Sequence, residues 1–218
     1  MIQGTPKWLA ELERRFGRFA IPQLQWVIVG FPVFGFIVLY LNPAGLAKMV
    51  LSPELVLKGE YWRVITFLAV PSGESGNLFF FIIYVWFLYF VASALVSEWG
   101  EFKTTLYFVI AWLLSVIFSF VASYPLYGMT DIGLSMLLAL AVMHPDFEIL
   151  LFLVLPTKLK WVALITVAWV AYKFFKADTD FKIYLLLVYA NYLLFFGPYH
   201  IDQFRQMQRR RKFRNQWK

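Results

Sequence analysis

Cysteine is absent from the 218 residues, which excludes disulfides, thiolate catalysis, cysteine-ligated metals and palmitoylation. Histidine occurs only at His144 and His200, and charged residues make up 15% of the chain, where soluble domains carry roughly a quarter. No grouping of histidines with carboxylates suggests a metal site. No glycine-rich phosphate cradle or dinucleotide fingerprint is present either. No cofactor is therefore expected. The first apolar run, beginning near Gln25, has polar Lys7-to-Arg18 before it and no small-residue cleavage site behind it. It reads as an anchor and not as a signal peptide.

What fills the chain is apolar: 61% of residues are hydrophobic and 21% aromatic. A chain this short cannot hide so much apolar surface in a water-soluble core, so the bilayer is the expected solvent. Nearly uncharged runs cover 25–41, 77–95, 104–122, 131–143, 159–174 and 183–197, most of them near the ~20 residues needed to cross about 30 Å of hydrocarbon. Six spans put both termini on one side. Eleven of the twenty basic residues sit in the two tails, Lys7, Arg14, Arg15 and Arg18 at one end and seven between Arg205 and Lys218 at the other. Beside membrane helices the positive-inside rule explains them more cheaply than nucleic acid does. Anionic headgroups would hold the tail down. The expected organisation is an amphipathic cytoplasmic segment over 1–22, a six-helix membrane domain over 23–199 and a basic cytoplasmic tail over 200–218. In the first segment Trp8, Leu12 and Phe16 recur at i, i+4, i+8, the pattern of a helix lying in the interface.

Three stretches do not suit a bundle of equal helices. Segment 43–76 is long and partly polar, and Lys48, Lys58 and Arg63 nearly balance Glu54, Glu60 and Glu74. It reads as a structured loop or short helices on the outer side. The fourth run has thirteen residues from Asp131 to the break at His144-Pro145, about 20 Å as a helix. Such a helix must begin at depth, with the preceding YPLYGMT shielded from lipid by other helices. Residues Asp146 to Lys160, interrupted by Pro156, read as a hairpin or interfacial loop.

These features together resemble the rhomboid superfamily. Trp62-Arg63 in GEYWRVITF is similar to its first-loop Trp-Arg motif. Glu98 and Gly100 in SEWGEFKTTLYF are similar to its Glu…Gly signature between the second and third spans. LLALAVMHPDFEILLFLVLPTKLKW is similar to the end of its fourth helix and the loop beyond. The likeness runs from about Phe16 to Gly197 and looks closest to bacterial rhomboid-like membrane proteins without assigned activity. It implies an all-α, six-transmembrane-helix bundle with a long outer loop after the first helix and a short central fourth helix. The bacterial cytoplasmic membrane follows from the same likeness.

An active rhomboid has a serine in Gly-x-Ser-Gly at the start of the fourth helix and a histidine in the sixth. An oxyanion hole is helped by histidine and asparagine from the second helix. Counted from Pro145, the nucleophile position is Thr130, followed by Asp131 where glycine belongs. Counted from Ala190, the histidine position is Asn191; counted from Gly100, the second-helix positions are Phe80 and Tyr84. All four differ from the family, and an asparagine is no general base. The resemblance therefore implies a rhomboid-like pseudoprotease that binds transmembrane segments of client proteins through a lateral opening, or perturbs the bilayer, without hydrolysis. Two other classes stay open: a protease with displaced chemistry at Ser135 or Thr130, and a small transporter or channel using Asp131. Gly133-Leu134-Ser135-Met136 is one letter from the protease motif, but it leaves only nine residues to Met143, about 14 Å.

The remaining polar residues each have a plainer reading. Ser115, Ser119 and Ser123 share one helix face, either as a polar track or as small-residue packing with hydroxyls bonded back to carbonyls. Asp131, Ser135 and Asn191 form a candidate polar cavity. Asp131 is a carboxyl at depth, hence a functional candidate; the plainer reading is that Asp131, or Thr130, is the N-cap of the fourth helix. Ser135 packs with Ala139 one turn on. Asn191 needs an interhelical partner, and Arg63 is expected to hold loop carbonyls.

Overall fold

The computed structural model describes residues 7–71, 77–151 and 155–216. Glu74 and Lys218 lie outside them, as do the side chains of the basic tail beyond Arg205. The chain is mostly helical: α1 Lys7–Phe16, α2 Leu24–Leu41, α3 Pro43–Ala47, α4 Pro53–Leu57, α5 Arg63–Thr66, α6 Leu78–Trp99, α7 Glu101–Ala122, α8 Thr130–Met143, α9 Leu159–Lys176 and α10 Thr179–Gln216. A short hairpin, β1 Glu148–Leu151 and β2 Leu155–Lys158, joins α8 to α9.

Among the described residues, four helices are long and apolar enough to cross a membrane: α2, α6, α7 and the Thr179–Ile201 part of α10. This is the make-up of an all-α, multi-pass membrane protein. α9 has 18 residues but carries Lys160, Lys173 and Lys176. α8 has 14, about 21 Å.

Each of the six apolar runs forms a helix, and the ends have local causes. Pro43 and Pro53 open α3 and α4, where a missing N–H costs nothing. Asn77 caps α6 by accepting from the Phe79 amide at 2.9 Å. Gly100 separates α6 from α7 at φ +88°, ψ 159°, a backbone region essentially restricted to glycine. α10 runs through Pro198 into the basic tail without a break, so the boundary expected near residue 200 is not a helix end.

α8 is the central element. Ten of its fourteen residues are buried, against only Leu159 and Thr166 in α9. Around it α6 contributes Leu88, Val91 and Leu95, α7 contributes Tyr107 and Ala111, and α10 contributes Leu185 and Val188. Between membrane helices this packing is stabilised by van der Waals contact and small residues that permit close approach. Gly35 shows the closest such contact: a Cβ there would stand 1.7 Å from the Ala69 carbonyl oxygen. α2 therefore lies directly on the backbone of the Phe67–Ala69 turn.

The bundle has two dissimilar ends. At the loop end, Leu51 pairs with Leu126 in an isolated bridge, and the Gly128 amide donates to the Phe67 carbonyl at 2.7 Å. The irregular stretch before α8 is thereby satisfied, with Leu126 and Met129 buried. At the tail end, α1 docks onto the bundle. Leu9 is fully buried, Trp8 meets the edge of Phe195, and Lys103 pairs with Glu13 at 3.1 Å. The expected Trp8–Leu12–Phe16 face is thus only part of the picture. Leu9 faces the protein as part of its buried core, while Trp8 beside it packs on Phe195 of the Trp99–Phe195–Phe196 aromatic cluster.

Candidate functional site

The long loop is held by one side chain. Arg63, 4% exposed, donates from Nη1 to the carbonyls of Ala47 (2.9 Å) and Val50 (2.8 Å), and from Nε to Glu60 at 2.7 Å. Its fixed fork of donors suits three acceptors at once. Trp62, half-exposed, donates its indole N–H to the Lys48 carbonyl at 3.2 Å. From the bundle, Trp112 donates to Val64 at 2.9 Å. The Trp-Arg pair therefore closes the loop on itself over the start of α8.

Under this loop lies the polar start of α8. Met129, not Asp131 or Thr130, occupies the N-cap position, and no side chain caps the helix. The N-cap reading of Asp131 is thus corrected. Its carboxylate, in the first turn where the helix dipole favours an anion, pairs with Lys173 of α9. The pair is mostly withdrawn from solvent, with 11% of the Asp131 and 21% of the Lys173 side chain exposed. Lys173 also stands 5.7 Å from the Phe181 ring centroid. Thr130 lies beside the Tyr84 hydroxyl. Tyr184, beside Ser115, and Tyr189 both stand within the electrostatic reach of Asp131. Lys173, in the last turn of α9, escaped the sequence reading, although a lysine at the end of an apolar helix can reach a buried carboxylate.

Deeper in the bundle a second set is joined through Tyr107, which is fully buried. Its hydroxyl donates to the Ser135 carbonyl at 3.1 Å, and its own carbonyl accepts from the Asn191 amide at 3.0 Å. The Ser135 hydroxyl is turned back to the Ile132 carbonyl at 2.8 Å. Ser115 likewise bonds back to Ala111, while Ser119 bonds forward to Tyr124 and closes the end of α7. Ser123 is a left-handed terminus at φ 52°. Among the described residues, Asn191 Oδ1 and the Tyr189 hydroxyl are buried without a partner.

The expected polar cavity is therefore divided. Ser135 and Asn191 are linked through Tyr107, whereas Asp131 is engaged by Lys173. Of the second-helix positions, Tyr84 faces Thr130 and Phe80 is 52% exposed on the outside of α6. Both histidines stand at the tail end. His144 lies 3.0 Å from Glu98, and His200 lies 2.6 Å from the Tyr192 hydroxyl. Gly100 serves as the α6–α7 corner, its carbonyl accepting from the Thr104 hydroxyl at 2.9 Å. Among the described residues no three histidine, aspartate or glutamate side chains gather as a metal site.

Comparison with protein-family models and with curated proteins finds no match to this chain.

Proposed function

We propose that this chain is a rhomboid-like pseudoprotease. It is a six-span membrane protein that engages transmembrane segments of other membrane proteins, or perturbs the bilayer around it, without hydrolysing peptide bonds. The observation that carries the reading is the state of the two positions matched to nucleophile and base. Thr130 lies against Tyr84, and Asn191 spends its amide on the Tyr107 carbonyl. Neither an amide nor a phenol takes a hydroxyl proton at ordinary pH. The alternative nucleophile, Ser135, is committed to a carbonyl within its own helix.

The count of six spans rests on two further observations. α8 is enclosed by neighbouring helices, so a short helix there need not face lipid on all sides. α9 carries its lysines at its two ends, where long basic side chains reach the interface or a buried carboxylate. Six spans with basic tails favour both termini in the cytoplasm, and the rhomboid likeness favours a bacterial inner membrane. The partners are lipids and transmembrane clients, with no role for nucleic acid.

The test is cleavage of a labelled transmembrane substrate by the purified protein in liposomes, with an active rhomboid as control. No product above the Thr130→Ala/Ser135→Ala background is expected, while the control cuts. Product that disappears with either single alanine would overturn the proposal.

A further inference from the structure

We propose that a cavity at the tail end of α6 and α8 binds a compact apolar group bearing an amine. The cavity measures about 160 Å³ and is walled by Phe90, Ala94, Leu140 and Leu159, with Phe147 beside them and Glu98 and His144 at the rim. A dry apolar cavity of about 150 Å³ is known to accept benzene, so the space matches one six-membered ring. Phe147 is 51% exposed and stacks on Phe90 at 5.9 Å. It forms one side of the cavity.

The rim decides which ring. Glu98 is 48% exposed and its Oε2 stands 3.0 Å from His144 Nε2. A carboxylate offers about four acceptor positions, and His144 takes one. The neighbouring Ser97 hydroxyl is occupied, donating to the Ala94 carbonyl at 2.9 Å. Lys158 at the end of the adjoining hairpin and Lys160 at the start of α9 are also engaged, 3.7 Å and 2.7 Å from Asp146. Among the described residues that line the cavity, Glu98 is the one carboxylate, and its half-exposed side chain has acceptor positions beyond the one that faces His144. An ammonium one carbon from an aromatic ring would bond that carboxylate with the ring inside. A carboxylate in the same place would be repelled.

The experiment is calorimetric titration of the full chain, in phosphatidylcholine nanodiscs, with benzylamine, toluene and benzoate. Benzylamine is expected to bind saturably and benzoate not at all. Glu98→Gln should weaken benzylamine about tenfold, the loss of one charge-assisted hydrogen bond, and leave toluene unchanged. Ala94→Phe should fill the cavity and abolish both. Benzoate binding as tightly as benzylamine would overturn the proposal, as would benzylamine binding unaltered by Glu98→Gln. Displacement of benzylamine by added phosphatidylethanolamine would overturn it in favour of a lipid headgroup. Should Ala94→Phe fail to fold, the Glu98→Gln comparison still decides, because that side chain is half in solvent.

Discussion

Removing Lys173 alone should destabilise the bundle more than removing Lys173 and Asp131 together. The two side chains are 21% and 11% exposed, so water screens their pairing little. Lys173→Met would leave the Asp131 carboxylate without its cation at the start of α8. Breaking a fully buried pair from one side costs about 3–5 kcal/mol, and the residual exposure lowers this to about 2–3 kcal/mol. For a chain of this size each kcal/mol shifts the thermal midpoint by about 2–4 °C, giving a fall of roughly 4–12 °C. The double variant Asp131→Asn/Lys173→Met removes both charges and should recover most of that loss, because a paired ion and its neutral replacement differ little. The assay is thermal unfolding in nanodiscs followed by tryptophan fluorescence, read as a double-mutant cycle. A Lys173→Met midpoint within a degree of the parent would refute the reasoning. Strictly additive losses would refute it equally.

Two other outcomes follow from the loop and the hairpin. Arg63→Lys keeps the charge but loses the fork that reaches Ala47, Val50 and Glu60 together. It should cost about 2 kcal/mol and speed hydrogen exchange across 43–71; unchanged exchange would show that other contacts hold the loop. The Asp146 carboxyl is held below its ordinary value of 3.8 by its hydrogen bond to Lys160. Because the folded value is depressed, the stabilisation is present above 3.8 and is lost as pH falls through the folded value. Lys160→Met should raise the Asp146 midpoint in a carboxyl NMR titration, and an unmoved midpoint would remove Lys160 as the cause.

Much of the architecture is local and was therefore legible. An apolar run declares its own helix, so 25–41 and 131–143 in the sequence differ from α2 and α8 by a single residue at one end. His144-Pro145 declared the break after α8, and the stretch between Asp146 and Lys160, interrupted by Pro156, closes as a hairpin with Pro156 opposite Leu150. The long loop, read as a structured loop or short helices, contains α3, α4 and α5, the first two opened by Pro43 and Pro53. The site was less legible. Asp131 stood out as a carboxyl at depth, yet its partner lies 42 residues away, and no periodicity links positions on different helices. The N-cap reading failed for a related reason. Cap propensity weighs a carboxylate against its own helix end, and a lysine from α9 was the stronger competitor.

By itself the sequence determined the apolar solvent and the helices, through its apolar runs, and excluded thiol chemistry, through its lack of cysteine. These depend on residue type and on spacing within one turn or one span. Only the tertiary structure decided that Leu9 packs inward, that Tyr107 joins Ser135 to Asn191, and that Asp131 is neutralised by Lys173. Each of those is a contact between separate elements, set by how the helices pack around α8. The cost of a buried polar group makes such a partner necessary, but packing chooses which one it finds.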